Sequence, residues 1–157
     1  MTDLPPHHLK IALIHPQIAP NTGNIARLCV ATSTELHLVR PLGFVLSDRE
    51  LKRSAMDYWP RLKYVLHDDV ESFMAIISNR SNWLFSTAGT KSLWEAEFGD
   101  EDCLIFGNET HGLPQRILER YSGRVLRIPQ APNERCLNLS TAAGIGLYAA
   151  LSRVCRG

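Results

Sequence analysis

Several strand-length runs in this sequence are apolar without interruption, and this most limits what the chain can become. Residues 103–106 (C-L-I-F) show it best, and 9–15, 35–40, 62–66, 83–87 and 125–128 are further strand-length runs. A strand that is apolar on both sides must be covered on both faces, as in a parallel sheet carrying helices on each side. Stretches with helical spacing separate these runs. Ile25, Leu28 and Cys29 share one face of a helix led by Asn21-Thr22-Gly23-Asn24, where Asn or Thr supplies the N-cap. Arg27 falls on another face and points out of the core. Ser47 and Glu50 form a capping box for a short helix to about residue 56. Asp68 or Asp69 caps a helix bearing Val70, Phe73, Met74 and Ile77, and 114–121 is a helix with proline in its first turn. The last helix runs from Thr141 to about residue 154, with Ser140 as its N-cap. This alternation predicts an α/β fold, a mostly parallel sheet covered by helices on both faces. The 157 residues contain no repeat, low-complexity tract or linker. One domain over 1–157 is expected, with 1–8 as a flexible N-terminal extension.

Composition excludes several classes of function. The net charge of +1 demands no polyanionic partner, although a local basic face is compatible with it. The four cysteines fit neither C-x-x-C nor a zinc spacing, and the histidines show no metal-ligand pattern. Reduced thiols, no metal and a cytoplasmic location are the expectation. No run approaches the roughly 18 apolar residues of a membrane span. No G-x-G-x-x-G or Walker sequence follows a strand, and Ser140 lacks a G-x-S-x-G elbow.

Three polar clusters lie just after predicted strands, at 21–27, 106–114 and 133–140. In open α/β sheets the ligand crevice lies at the carboxyl ends of strands. Gly107 would let a ligand approach the backbone, and Glu109 sets a carboxylate at the sheet edge. On spacing alone, a turn glycine and a capping carboxylate are an equally good reading. The final helix carries Gly144 and Gly146 among alanines, at roughly 1 kcal/mol per glycine against alanine. Close approach of another backbone or of a ligand would compensate.

The clusters read N-T-G-N-I-x-R, F-G-x-E-x-x-G-L-P and R-x-L-N-L-S-x-A with a later tyrosine. Together they resemble the three motifs of the SpoU-type branch of the SPOUT RNA 2′-O-methyltransferases, over residues 9–154. The resemblance implies a C-terminal trefoil knot that binds S-adenosylmethionine, and an obligate homodimer with its active site near the interface. It also implies roles for particular residues. Thr87, Gly107, Glu109, Ile128, Cys136 and Leu137 match cofactor-binding positions, largely through backbone groups. Arg27 matches the catalytic arginine, while Asn138 and Ser140 would orient ribose or cofactor and Tyr148 would contact nucleotide or cofactor. Cys136 stands where serine is more usual, and His111 where a larger basic residue is common. The short chain is similar to the small tRNA wobble enzymes of this branch. The implied substrate is therefore the pyrimidine at position 34, met in the anticodon stem-loop of tRNA. Another tRNA position, ribosomal RNA, or a non-catalytic RNA-binding module are the alternatives. Arg49, Lys52, Arg53, Arg61 and Lys63, and separately Arg116, Arg120, Arg124 and Arg127, are candidate RNA-facing charges.

Overall fold

The computed structural model describes residues 3–47, 49, 53, 56–77 and 81–156. Its strands are β1 (Lys10–Ile14), β2 (Glu35–Val39), β3 (Tyr64–His67), β4 (Asn82–Phe85), β5 (Lys91–Ser92), β6 (Cys103–Phe106) and β7 (Val125–Arg127). Its helices are α1 (Ala19–Thr32), α2 (Val70–Ile77), α3 (Gln115–Arg120) and α4 (Leu139–Val154). The strands form one sheet in the order β3-β2-β1-β6-β4-β7-β5, and every pairing is parallel.

Period-two alternation distributes the apolar residues between two cores. Ile11, Leu13, Leu36, Leu38, Leu104 and Phe106 face one side, where α1 brings Ile25 and Cys29 and α4 brings Ala143, Leu147 and Leu151. Ala12, Ile14, Val39, Cys103 and Ile105 face the other, where α2 brings Phe73 and Met74 and α3 brings Ile117. The doubly covered parallel sheet expected from the sequence is the one observed.

Three local features differ from expectation. Helix α1 begins at Ala19, with Pro20 in its first turn, so Asn21 to Asn24 lie inside it and cap nothing. Helix α4 begins at Leu139, and its N-cap is Asn138 rather than Ser140; Asn138 accepts from the backbone N–H of Ser140 and Thr141. The stretch read as a loop after Gly89 contains β5, followed by a 3-10 turn (Leu93–Glu95) whose Ser92 and Glu95 form a capping box. The capping box expected at 47–50 involves Asp48 and Glu50, which lie outside the described residues.

The glycines of α4 prove unequal. A Cβ on Gly146 would come within 2.9 Å of the Phe85 ring and 3.2 Å of Phe106. Those rings stack at 4.5 Å, and burying each contributes roughly 1.5–3 kcal/mol, more than the glycine costs. The close neighbours are thus side chains, not backbone or ligand. At Gly144 a Cβ would meet only Leu28, at 4.0 Å.

Strand β7 lies between β4 and β5, with Phe85 and Lys91 both level with Leu126. The loop at 86–90 therefore crosses β7, spanning two strand spacings of about 4.8 Å each. A Cβ on Gly89 would sit 2.7 Å from the Leu126 carbonyl carbon, so glycine permits this close crossing.

Candidate active site at the carboxyl edge of the sheet

The loops after β4, β6 and β7, with the first turns of α1 and α4, enclose an open cavity of about 580 Å³. All six residues expected to hold a cofactor, Thr87, Gly107, Glu109, Ile128, Cys136 and Leu137, line it. Asn138 also lines it, whereas Arg27, Ser140 and Tyr148 do not. The sequence reading did not single out Asn21, which lines the cavity too; its place in the first polar cluster was the available signal.

One hydrogen-bonded series ties the three polar clusters together. Glu109 accepts from the backbone N–H of Gln17 at 2.9 Å and of Ile18 at 3.1 Å, and from Asn21 Nδ2 at 3.4 Å. Asn21 Oδ1 in turn accepts from Asn138 Nδ2 at 3.1 Å. Asn138 Oδ1 accepts from the backbone N–H and the hydroxyl of Ser140 at 2.9 and 2.6 Å. A carboxylate only accepts, and helix N–H groups only donate, so both amide orientations are fixed by the two ends of the series. Ile18, the N-cap of α1, makes no side-chain cap bond; Glu109, from a distant loop, instead holds the backbone N–H groups of Gln17 and Ile18 just before the helix. Both side-chain functions of Asn138 are committed in the same way. Its amide joins the first turns of α1 and α4 at the cavity wall.

The loop after β6 is shaped by its own backbone. Asn108 and Gly112 exchange backbone hydrogen bonds at 3.3 and 3.1 Å, and Asn108 Oδ1 accepts from the N–H of Thr110 and His111. Gly112 has φ +66, where glycine carries no steric penalty. A Cβ on Gly107 would lie 2.1 Å from the Gly112 carbonyl carbon. The glycine is thus needed for the loop to close on itself beside the cavity. Arg127 donates to the Thr87 carbonyl at 3.2 Å, which holds the loop after β4 against the end of β7.

Outside the cavity the side chains are exposed. Arg27 stands on the solvent face of α1 with its Cζ 5.1 Å from the centre of the Tyr58 ring. Tyr148 is 53% exposed on α4, one helical turn from the exposed Ile145, and Ile18 is exposed at the start of α1. Most of the second basic group is engaged locally. Arg116 pairs with Glu71 at 3.1 Å, Arg124 Nε donates to the Asn82 carbonyl at 2.9 Å, and Arg120 lies over Tyr121. Lys52 lies outside the described residues. Where a flexible extension was expected, His7 hydrogen-bonds to the Thr32 carbonyl and His8 to both carboxylate oxygens of Asp100.

Among the described residues, no three His, Cys, Asp or Glu side chains gather as a metal site, and no helix is long and apolar enough to cross a membrane. A cavity of this size is in the range for small-molecule sites. Its walls combine apolar surface from Phe106, Leu113 and Leu126 with loop backbone. Those walls suit a flat heterocycle with polar edges, so the residues present fit an adenosine-containing cofactor.

Residues 8–148 match the SpoU rRNA Methylase family. A tRNA (cytidine(34)-2′-O)-methyltransferase of Saccharophagus degradans is 45% identical over 142 residues, 90% of this chain and 92% of that protein. A solved structure giving insights into 2-OH methylation of C/U34 on tRNA superposes with TM-score 0.89 at 42% identity, covering 95% of this chain and 97% of the other. The AdoMet-bound rRNA methyltransferase of Sinorhizobium meliloti superposes with TM-score 0.83 at 26% identity, over 94% of this chain and 57% of that one.

Proposed function

The chain belongs to the SpoU rRNA methylase family, and from that premise we propose that it methylates the ribose 2′-hydroxyl of the wobble pyrimidine, position 34, of tRNA. The observation that carries this reading is the union of the three polar clusters, through Glu109, Asn21 and Asn138, at the mouth of one cavity. S-adenosylmethionine supplies an electrophilic methyl group when bound there. The loops after β4, β6 and β7 hold that cofactor through backbone groups at Thr87, Gly107, Ile128, Cys136 and Leu137, and Glu109 fixes the loop that carries it. The last loop and α4 belong to a trefoil knot, a reading supported by the 86–90 segment crossing β7.

The remaining task is to bring the 2′-oxygen into line with the transferring methyl and to ease loss of its proton. Arg27 holds the adjacent phosphate and stabilises negative charge developing on the oxygen; a guanidinium stays protonated in proteins and does not serve as the base. Ser140 and Tyr148 contact the nucleotide. Arg27 and Tyr148 stand outside the cavity, and the exposed apolar Ile18, Ile145 and Tyr148 give the first and last helices a surface to bury. We read the active protein as a homodimer with its site at the interface, working in the cytoplasm on the anticodon stem-loop; the exposed apolar residues support the dimer.

The test is transfer of labelled methyl from S-adenosylmethionine to total tRNA of a strain lacking the enzyme, followed by nucleoside mapping. A 2′-O-methylated pyrimidine at position 34 is expected. Label confined to ribosomal RNA would replace the substrate, and no label in either RNA would overturn the catalytic reading.

A further inference from the structure

Arg27 and Arg61 share one aromatic ring, whereas Arg120 and Arg124 each lie over a ring of their own, Tyr121 and Trp83. Arg40 and Arg116 pair with Asp68 and Glu71, while Arg124, Arg127 and Arg153 donate to main-chain carbonyls. Arg27 lies on α1 and Arg61 ends the 3-10 turn Met56–Arg61, which packs against α1. Each has its Cζ 5.1 Å from the centre of the same ring, Tyr58, in the middle of that turn. Among the described residues neither guanidinium has a carboxylate partner, and both are exposed.

The difference has chemical content. A carboxylate partner would neutralise an arginine and occupy its donor fork. The negative face of an aromatic ring attracts the cation while leaving its N–H donors and its charge available. It also offsets part of the repulsion between two cations held at one ring. A phosphodiester presents two non-bridging oxygens, and two guanidiniums with free forks match that geometry.

We propose that Tyr58 is a positioning residue that gathers Arg27 and Arg61 into one anion-binding unit for an RNA phosphate next to the reacting ribose. The inference rests on the reading of Arg27 as the catalytic arginine of a 2′-O-methyltransferase. It adds a second guanidinium and the ring that orients both. Tyr58 lines no part of the cofactor cavity, so its effect passes through the two arginines alone.

Steady-state methyl transfer to tRNA, with calorimetric S-adenosylmethionine binding as the check on folding, tests this with five variants. Tyr58→Leu should lower kcat/KM about tenfold or more while cofactor affinity stays within about twofold, and Tyr58→Phe, which keeps the ring face, should recover most of the loss. Arg61→Ala should raise KM for tRNA several-fold with a smaller change in kcat. It should also make the salt dependence of binding shallower by about 0.7–0.9 in log–log slope. In the Tyr58→Leu background the same change should add little. Tyr58→Leu behaving as wild type while Arg27→Ala is inactive would overturn the proposal and leave the methyltransferase reading intact. So would Tyr58→Phe failing as badly as leucine, or Arg61→Ala with unchanged KM and salt slope. Full turnover by Arg27→Ala would instead remove the reading on which the proposal rests.

Discussion

The cavity and the outer face of α1 and α4 are built in opposite ways. Around the cavity a Cβ on Gly107 would meet the main chain of Gly112, and Glu109, Asn21 and Asn138 are committed to one another. On the outer face Arg27 and Tyr148 project into solvent, with Tyr58 as the ring beside Arg27. The difference teaches that the residues around the cavity are already engaged with one another, whereas those on the outer face are turned to solvent. Side chains in the first region should matter through shape, and those in the second through charge and exposure.

The largest expected effect is at Gly107. Replacing it with valine places carbon atoms where the Gly112 backbone stands, 2.1 Å from the Cβ position, so cofactor affinity by calorimetry should fall more than about a hundredfold. Near-normal affinity would break the account of a backbone-shaped site. Tyr148→Ala comes next. It should leave cofactor affinity unchanged but weaken self-association in sedimentation and cut methyl transfer about tenfold or more. Glu109→Ala releases the N–H groups of Gln17 and Ile18 just before α1 and the amide of Asn21, at a cost of about 1–2 kcal/mol. Thermal unfolding should fall by a few degrees, on the scale of about 2–4 °C per kcal/mol for a chain of this size.

The smallest effect concerns neither region. At the β2–β3 edge His37 Nδ1 lies 2.8 Å from His67 Nε2, and His37 Nε2 lies 2.6 Å from Glu35. Burial holds both imidazoles below the ordinary histidine value, and for His67 the neighbouring His37 adds to it. The unfolded chain binds these protons more readily than the folded one. The contribution is therefore present above about pH 6.5 and is lost as pH falls below it. A thermal scan from pH 8 to 5 should show that loss, and His67→Gln should flatten it. Cofactor affinity between pH 8 and 6.5 should not follow it; if it does, this edge is coupled to the cavity and the contrast is too simple.

How far the sequence discloses this arrangement depends on where each signal resides. Both-faced apolar runs such as 103–106 locate the sheet, and the three polar clusters locate the cavity, because neighbouring residues carry both patterns. The start of α1 is illegible locally. Glu109, some ninety residues away, holds the N–H groups just before it, and Asn21 and Thr22 imitate a cap they do not make. Ser140 misleads in a related way, since Asn138 two residues earlier takes the capping role. β5 has two residues and no hydrophobic period to detect. Tyr58 acquires meaning only when the 3-10 turn brings its ring beside Arg27.

The contrast between the two regions is tested most directly by measuring cofactor affinity and single-turnover methyl transfer side by side in Arg27→Ala. The account predicts an S-adenosylmethionine Kd within about twofold of wild type and a transfer rate reduced by roughly a hundredfold or more. A matching collapse of cofactor affinity, or full transfer without the arginine, would contradict it.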